Sequence, residues 1–262
     1  MASATGTKLL VPPPCEGYSM AETLLDVLRG DQGFTHDEAM LLDVMLMLHA
    51  EHGGGNNSTF TTRVLSSSGT DAYSAYAAAI GSLKGPKHGG ANAKVGAMIE
   101  DASEKICDWE DEDQVADYLT RLVRGEEFDG TGLIYGLGHA VYTVSDPRAV
   151  IIKKYARGLA EAKGRERKLH LLENIEKLGP GVMRDVRGVK KPICANLDFY
   201  SGFIYEMLGL PQEIYTPIFA MARIVGWMAH RIEELNFEGR RIIRPAYKNI
   251  LEHKDYVPIN ER

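Results

Sequence analysis

The 262-residue chain has only three cysteines, Cys15, Cys107 and Cys194, scattered and without C-x-x-C spacing. Their scarcity excludes a disulfide scaffold and a cysteine-rich zinc module, and fits free thiols in a reducing compartment. Long apolar runs are missing as well: no stretch approaches the roughly 18 uninterrupted apolar residues of a membrane span. The opening MASATGTKLLVPPPC holds neither a basic n-region nor an apolar h-region, so no secretory signal is expected and the cytoplasm is the default compartment. Positive charge is not in excess. Thirty Lys and Arg stand against thirty-six Asp and Glu, a net charge of −6 with no basic block, which argues against a nucleic-acid surface while leaving room for local anion binding. The glycines form neither G-x-G-x-x-G nor G-x-x-x-x-G-K-[ST], and GTGLIYGLG follows no strand, so Rossmann and P-loop readings fail. Ser201 lies in FYSG rather than G-x-S-x-G, which removes a hydrolase nucleophile elbow.

What is present is a globular composition, 44% hydrophobic and 25% charged, long enough for one or two domains with a substantial core. Helix signals recur. Thr35 and Glu38 have capping-box spacing, and Leu41, Leu42, Met45, Leu46 and Leu48 supply the apolar positions of a helix expected to stop at Gly53, Gly54 and Gly55. Residues 70–83, TDAYSAYAAAIGSL, are small enough to pack closely on other helices. Further helices are expected over 92–106, 111–123, 165–178 and 197–208, from Pro147 with Asp146 as cap, and over 216–235 with Thr216 as cap before Pro217. No segment sustains a period of two, so the fold should be nearly all α. The proline-rich head at 11–14 reads as an extended or disordered leader.

Four polar clusters stand at helix edges: LHAEHGGGNNS, GPKHGGAN, GLGHAVYTVSDPRA and NLDFYSG. His49 and His52, three apart, would share a helix face and so raise a metal site; without H-E-x-x-H, C-x-x-C or an acidic ligand series, that reading is set aside. His88 sits between a Gly-Pro turn and a Gly pair. A lone histidine is ordinarily structural, but flanking glycines cost chain entropy and make sense where backbone must approach a ligand. A helix N-terminus beside it would also favour the neutral imidazole. Asp198 reads equally well as a helix cap. Arg148, Arg223 and Arg244 have the common fate of surface charges as their bland reading. Arg223 stands apart, because PIFAMARIVGWMAH surrounds it with apolar neighbours and a buried guanidinium needs an anion or carboxylate. Together these side chains could hold a small dicarboxylate with arginines while a carboxylate and imidazoles move protons.

In order and spacing, LHAEHGGGNNSTF, GPKHGGANAKV, GLGHAVYTVSDPRA, LDFYSG and TPIFAMARIVGWMAHRIEE resemble the citrate synthase family, which includes 2-methylcitrate synthase; the likeness runs from about Ala21 to Tyr247. It implies an all-α homodimer in which a large helical domain (here 21–88 and 209–262) and a small one (89–208) follow a leader at 1–20. The implied reaction condenses acetyl-CoA with oxaloacetate and hydrolyses citryl-CoA to citrate and CoA, with propionyl-CoA as the alternative acyl donor. By position, His88 resembles the histidine that hydrogen-bonds the thioester oxygen as the enol forms, and Asp198 the base that takes the methyl proton. His139 matches the histidine that polarises the oxaloacetate carbonyl, His52 one that helps bind that substrate, and Arg148 and Arg223 those that grip its carboxylates. Arg244, in IIRPAY, corresponds to an arginine donated across the dimer interface. The loop of Leu133, Tyr135, Gly136, Leu137 and Gly138 resembles backbone that receives the CoA adenine. The resemblance implies no metal and no prosthetic group, only acetyl-CoA as co-substrate, and no nucleic-acid or membrane partner.

Family chains usually carry a long helical segment ahead of these motifs, and here the match begins almost at once. The expectation is an N-terminally truncated member that is active alone, or is completed by another copy or a separate N-terminal chain. The alternative of a different class is a binding or interaction subunit that keeps the motifs by descent. In either case a helix such as 70–83 would expose an apolar face, and such faces need a partner.

Overall fold

A computed structural model describes residues 13, 15–138, 142, 144–239, 241–248, 250 and 252–262. His139 and most of the expected leader lie outside the described residues. Where the leader ends is set by Ser19 and Glu22, whose side chain and backbone cap each other in a capping box. They open α1 (Met20–Arg29), a helix whose S-x-x-E signal is legible in the sequence but was not among the expected elements. The Thr35–Glu38 box opens α2 (His36–Ala50) as expected. There follow α3 (Asn57–Ser67), α4 (Ala72–Leu83), α5 (Ala91–Lys105), α6 (Glu112–Arg124), α7 (Pro147–Lys163), α8 (Glu166–Arg187), α9 (Leu197–Met207) and α10 (Tyr215–Asn236). Among the described residues there is no strand, only an isolated antiparallel bridge between Leu137 and Ala195.

Side-chain caps explain most helix starts: Asp71, Asp111, Asp146 and Asn196 each accept a backbone N–H from the first turn of α4, α6, α7 and α9. Three boundaries differ from expectation. The second helix ends at Ala50 and Glu51 is already extended, so His49 and His52 do not share a helical face. The eighth continues through Pro180 to Arg187, because Val182, Met183 and Val186 pack on the core and outweigh the hydrogen bond lost at proline. The tenth starts at Tyr215, directly after a 3-10 turn, so Thr216 is no cap; its hydroxyl donates to the Gly89 carbonyl at 3.1 Å.

The main core joins residues from α1, α2 and α5 to α10, with Leu25, Leu42, Met45, Met98, Tyr118 and Ile204 fully enclosed. Full burial of each such side chain contributes roughly 1.5–3 kcal/mol, and nine of the eleven residues of α9 are buried, which makes it the central helix. It packs on α5 and α7. A second cluster, Ala79, Leu83 and Trp227, ties α4 to α10, and α10 also lies along α2 and α3. No helix among the described residues is long and apolar enough to cross a membrane.

Candidate active site

A hollow of about 250 Å³ brings together His52, His88, Arg148, Asp198, Phe219 and Arg223. Five of these six were singled out from sequence, and Gly138 of the expected adenine loop lies on the same wall. Arg244 does not reach it; that residue is exposed on the irregular segment after α10. A second hollow of about 270 Å³ on another flank of α9 is lined mainly by apolar groups such as Val95, Ile99 and Phe203. Its one cation, Lys168, is already paired with Glu100 and Glu206, which leaves the first as the candidate site.

Asp198 stands in the first turn of α9, yet it does not cap the helix. The cap is Asn196, whose Oδ1 accepts from the Asp198 N–H at 3.0 Å, which leaves the Asp198 carboxylate to the cleft. Burial pushes that carboxyl up to about 6, against the opposing pull of Arg148 and Arg223. The segment ahead of α9 is held by the 136–138 loop: Gly138 N–H donates to the Cys194 carbonyl at 2.8 Å, and Asn196 N–H to the Gly136 carbonyl at 2.9 Å. In the same loop Leu133 is exposed and Tyr135 donates its hydroxyl to Asp129 at 2.8 Å.

His88 lines the same hollow as Asp198, on the loop that leads into α5. The glycines beside it have a steric reason within the chain itself. A Cβ on Gly89 would fall 2.5 Å from the Leu83 carbonyl oxygen, and one on Gly90 2.9 Å from Pro86 Cα. The loop closes on itself, and the glycines permit that closure. His88 Nε2 lies 3.0 Å from the Ser58 hydroxyl, and the ring edge meets Phe219 at 6.1 Å between centroids. Burial, and then the Arg223 charge, bring its pKa down to about 4. The neutral imidazole expected from sequence therefore has burial and the Arg223 charge behind it.

Arg223, on α10, is 1% exposed. Its Nε donates to the His49 carbonyl at 2.5 Å and its Nη1 to Asn56 Oδ1 at 3.3 Å, while the guanidinium lies 4.8 Å from the Phe219 centroid. Among the described residues no carboxylate comes within ion-pair distance of it. Burial lowers its pKa to about 10, with the nearby Arg148 charge adding to the effect. A buried cation held by neutral acceptors at a cavity wall is suited to binding an anion. Arg148 differs, because Asp146 already takes its Nε and Nη2 at 3.0 and 2.7 Å. Of the five guanidinium N–H groups, those outside this fork are left for a ligand. His52 completes the wall, 6.1 Å from the Tyr142 ring. His49 has turned inward, its Nδ1 2.7 Å from the Met45 carbonyl and its ring against Phe219.

Sequence reasoning missed Asn56 and Ser58 as parts of the site, although both stand in the quoted LHAEHGGGNNS. It read Asp146 as a cap only. Asp146 is a cap, but its 1% exposure, its fork to Arg148 and its bond from Leu197 N–H at 3.2 Å tie the starts of α7 and α9 together. Among the described residues, no group of three or more His, Cys, Asp or Glu side chains gathers to hold a metal.

Residues 2–246 match the family model described as citrate synthase, C-terminal domain. A citrate synthase of Deinococcus radiodurans is 39% identical over 250 residues, covering 95% of this chain and 61% of the relative. A 2-methylcitrate synthase of Corynebacterium glutamicum is 36% identical over 264 residues, covering 98% of this chain and 62% of its own. Among solved structures, a ternary complex of carboxymethyl coenzyme A and oxaloacetate with citrate synthase from the thermophilic archaeon Thermoplasma acidophilum matches with a TM-score of 0.77 at 32% identity, covering 100% of this chain and 64% of that one. The chain spans about half to six-tenths of the length of the curated relatives it matches.

Proposed function

Since this chain belongs to the citrate synthase family, we propose that it condenses acetyl-CoA with oxaloacetate in this cleft and hydrolyses the citryl-CoA formed. The observation that carries the reading is a carboxylate and a neutral imidazole lining one small hollow with two arginines. A thioester methyl is a weak carbon acid, so Asp198 can take its proton only if the enol oxygen is stabilised as charge develops. His88 supplies that donor through Nδ1, provided the Ser58 hydroxyl donates to Nε2. The surroundings permit this arrangement. Ser58 Oγ lies 3.0 Å from both His88 Nε2 and Asn56 Oδ1 and accepts from Trp227 Nε1–H at 3.3 Å; because Asn56 Oδ1 also accepts from Arg223 Nη1, turning the Ser58 hydrogen to His88 leaves that oxygen with a donor.

Oxaloacetate is a dianion, and Arg223 with the unforked edge of Arg148 provides its counter-charges, with His52 beside them. His139 is the residue we assign to its ketone oxygen. The two arginines come from either side of the division between 21–88 with 209–262 and 89–208, so binding the dianion would draw these parts together. The carrier at the 133–138 loop is acyl-CoA, a co-substrate. The three cysteines are free, in keeping with a cytoplasmic setting.

Arg244 is exposed, and so are an apolar stripe of Val225, Met228 and Ile232 along α10 and Tyr73 and Ile80 on α4. A second copy covering this stripe would bring its Arg244 to the site, which makes a homodimer the functional unit. The test is release of CoA thiol from acetyl-CoA and oxaloacetate. Turnover that vanishes in Asp198→Asn supports the reading; release equal in both proteins would overturn it.

A further inference from the structure

Two residues of the quoted motifs have no task in this scheme, Asn92 of GPKHGGAN and Ser201 of LDFYSG. Asn92 follows His88 by four positions and stands in the first turn of α5; Ser201 follows Asp198 by three, one turn along α9. Their side chains hydrogen-bond to each other, Asn92 Nδ2 donating to Ser201 Oγ. Both are buried, at 6% and 0% exposure. The helices come this near because residue 202 is glycine, where a Cβ would stand 2.8 Å from Asn92 Oδ1. Ser201 Oγ in turn lies 3.5 Å from the Asp198 carbonyl. Neither side chain lines the cleft.

We infer that Asn92 and Ser201 are positioning residues, their buried hydrogen bond fixing α5 against α9 and thereby the separation between the His88 imidazole and the Asp198 carboxylate. The inference rests on the condensation reading above. Proton transfer needs its partners in place before reaction, and a misplacement of about 1 Å costs on the order of a hundredfold in rate. An interaction of this kind acts on the chemical step and leaves dianion binding to Arg148, Arg223 and His52.

The experiment is a double-mutant cycle on the full chain with Asn92→Ala, Ser201→Ala and the pair together. It measures kcat, oxaloacetate Kd by calorimetry, and Tm. Each single change is expected to lower kcat about ten- to a hundredfold with oxaloacetate Kd within about twofold of wild type, and the double to be no slower than the worse single. A folded Ser201→Ala protein with wild-type kcat would overturn the inference. So would a kcat loss matched by an equal loss of oxaloacetate affinity, or losses that multiply in the double. Should Asn92→Ala fail to fold, Ser201→Ala, which removes one oxygen, decides alone by the same kcat and Kd criteria. A wild-type chain that neither binds oxaloacetate nor releases CoA would instead overturn the functional reading, and this inference with it.

Discussion

Asn196 and Asp198 stand two residues apart at the head of α9, and only Asn196 caps it. That division of labour leaves Asp198 half-buried, with its carboxyl pushed up by desolvation to about 6. As the proposed base it must be ionised, so kcat/KM should fall about tenfold per pH unit below that value and level off above it. His88, brought down to about 4, stays neutral throughout this range. The same shift has a sign for stability. A carboxyl whose folded pKa lies above its ordinary 3.8 is stabilising in its neutral form at low pH, and that contribution is lost as pH rises through about 6. Asparagine cannot ionise. Asp198→Asn should therefore abolish turnover yet melt higher than wild type at pH 8, by roughly a few degrees, with the gap closing near pH 4. Scanning calorimetry at the two pH values reads this directly, and a lower melting point for the variant at pH 8 would contradict the burial argument.

Between elements, glycine decides how near two backbones can come. A Cβ on Gly226 would collide with the Ala50 carbonyl oxygen, where α10 meets the end of α2. Gly136, at φ +81°, lies under the start of α9, and a Cβ there would fall 2.7 Å from Phe199 Cδ2 and 3.0 Å from Phe199 Cα. Gly136→Ala thus meets both an unfavourable φ and a backbone obstacle one residue from Asp198. Urea titration should find it destabilised by roughly 1–3 kcal/mol, and kcat should drop with the displaced α9 while oxaloacetate affinity holds. Helix starts were legible at this scale because caps are local: the Thr35–Glu38 box and Asp146 before Pro147 can be read within four residues. The run of α8 past Pro180 was not, since what carries it is contact with distant side chains.

For the molecule as a whole, the open matter is the surface that α4 and α10 turn outward and the exposed Arg244. If each site takes Arg244 from a second copy, the variants Asp198→Asn and Arg244→Ala should each be inactive and yet rescue one another on mixing and refolding. Half of the resulting dimers would be mixed, and each of those would hold one competent site, giving about a quarter of wild-type turnover. Mixtures that stay inactive, or light scattering that finds a monomer under assay conditions, would remove Arg244 from the site. The exposed stripe could be anticipated from residues 70–83, whose composition suits close helix packing on more than one side.

The sequence alone determined the all-α class, most helix boundaries and five of the side chains that line the cleft, because caps, periodicity and motif spacing are properties of neighbouring positions. It could not assign Ser58, Asn56 and Asp146 their partners, nor show that Asn196 rather than Asp198 caps α9. Those choices depend on which side chains converge from helices far apart in the chain. So do the shifts at His88 and Asp198, since desolvation and the field of Arg223 exist only once α2, α9 and α10 have packed together and expelled water from between them.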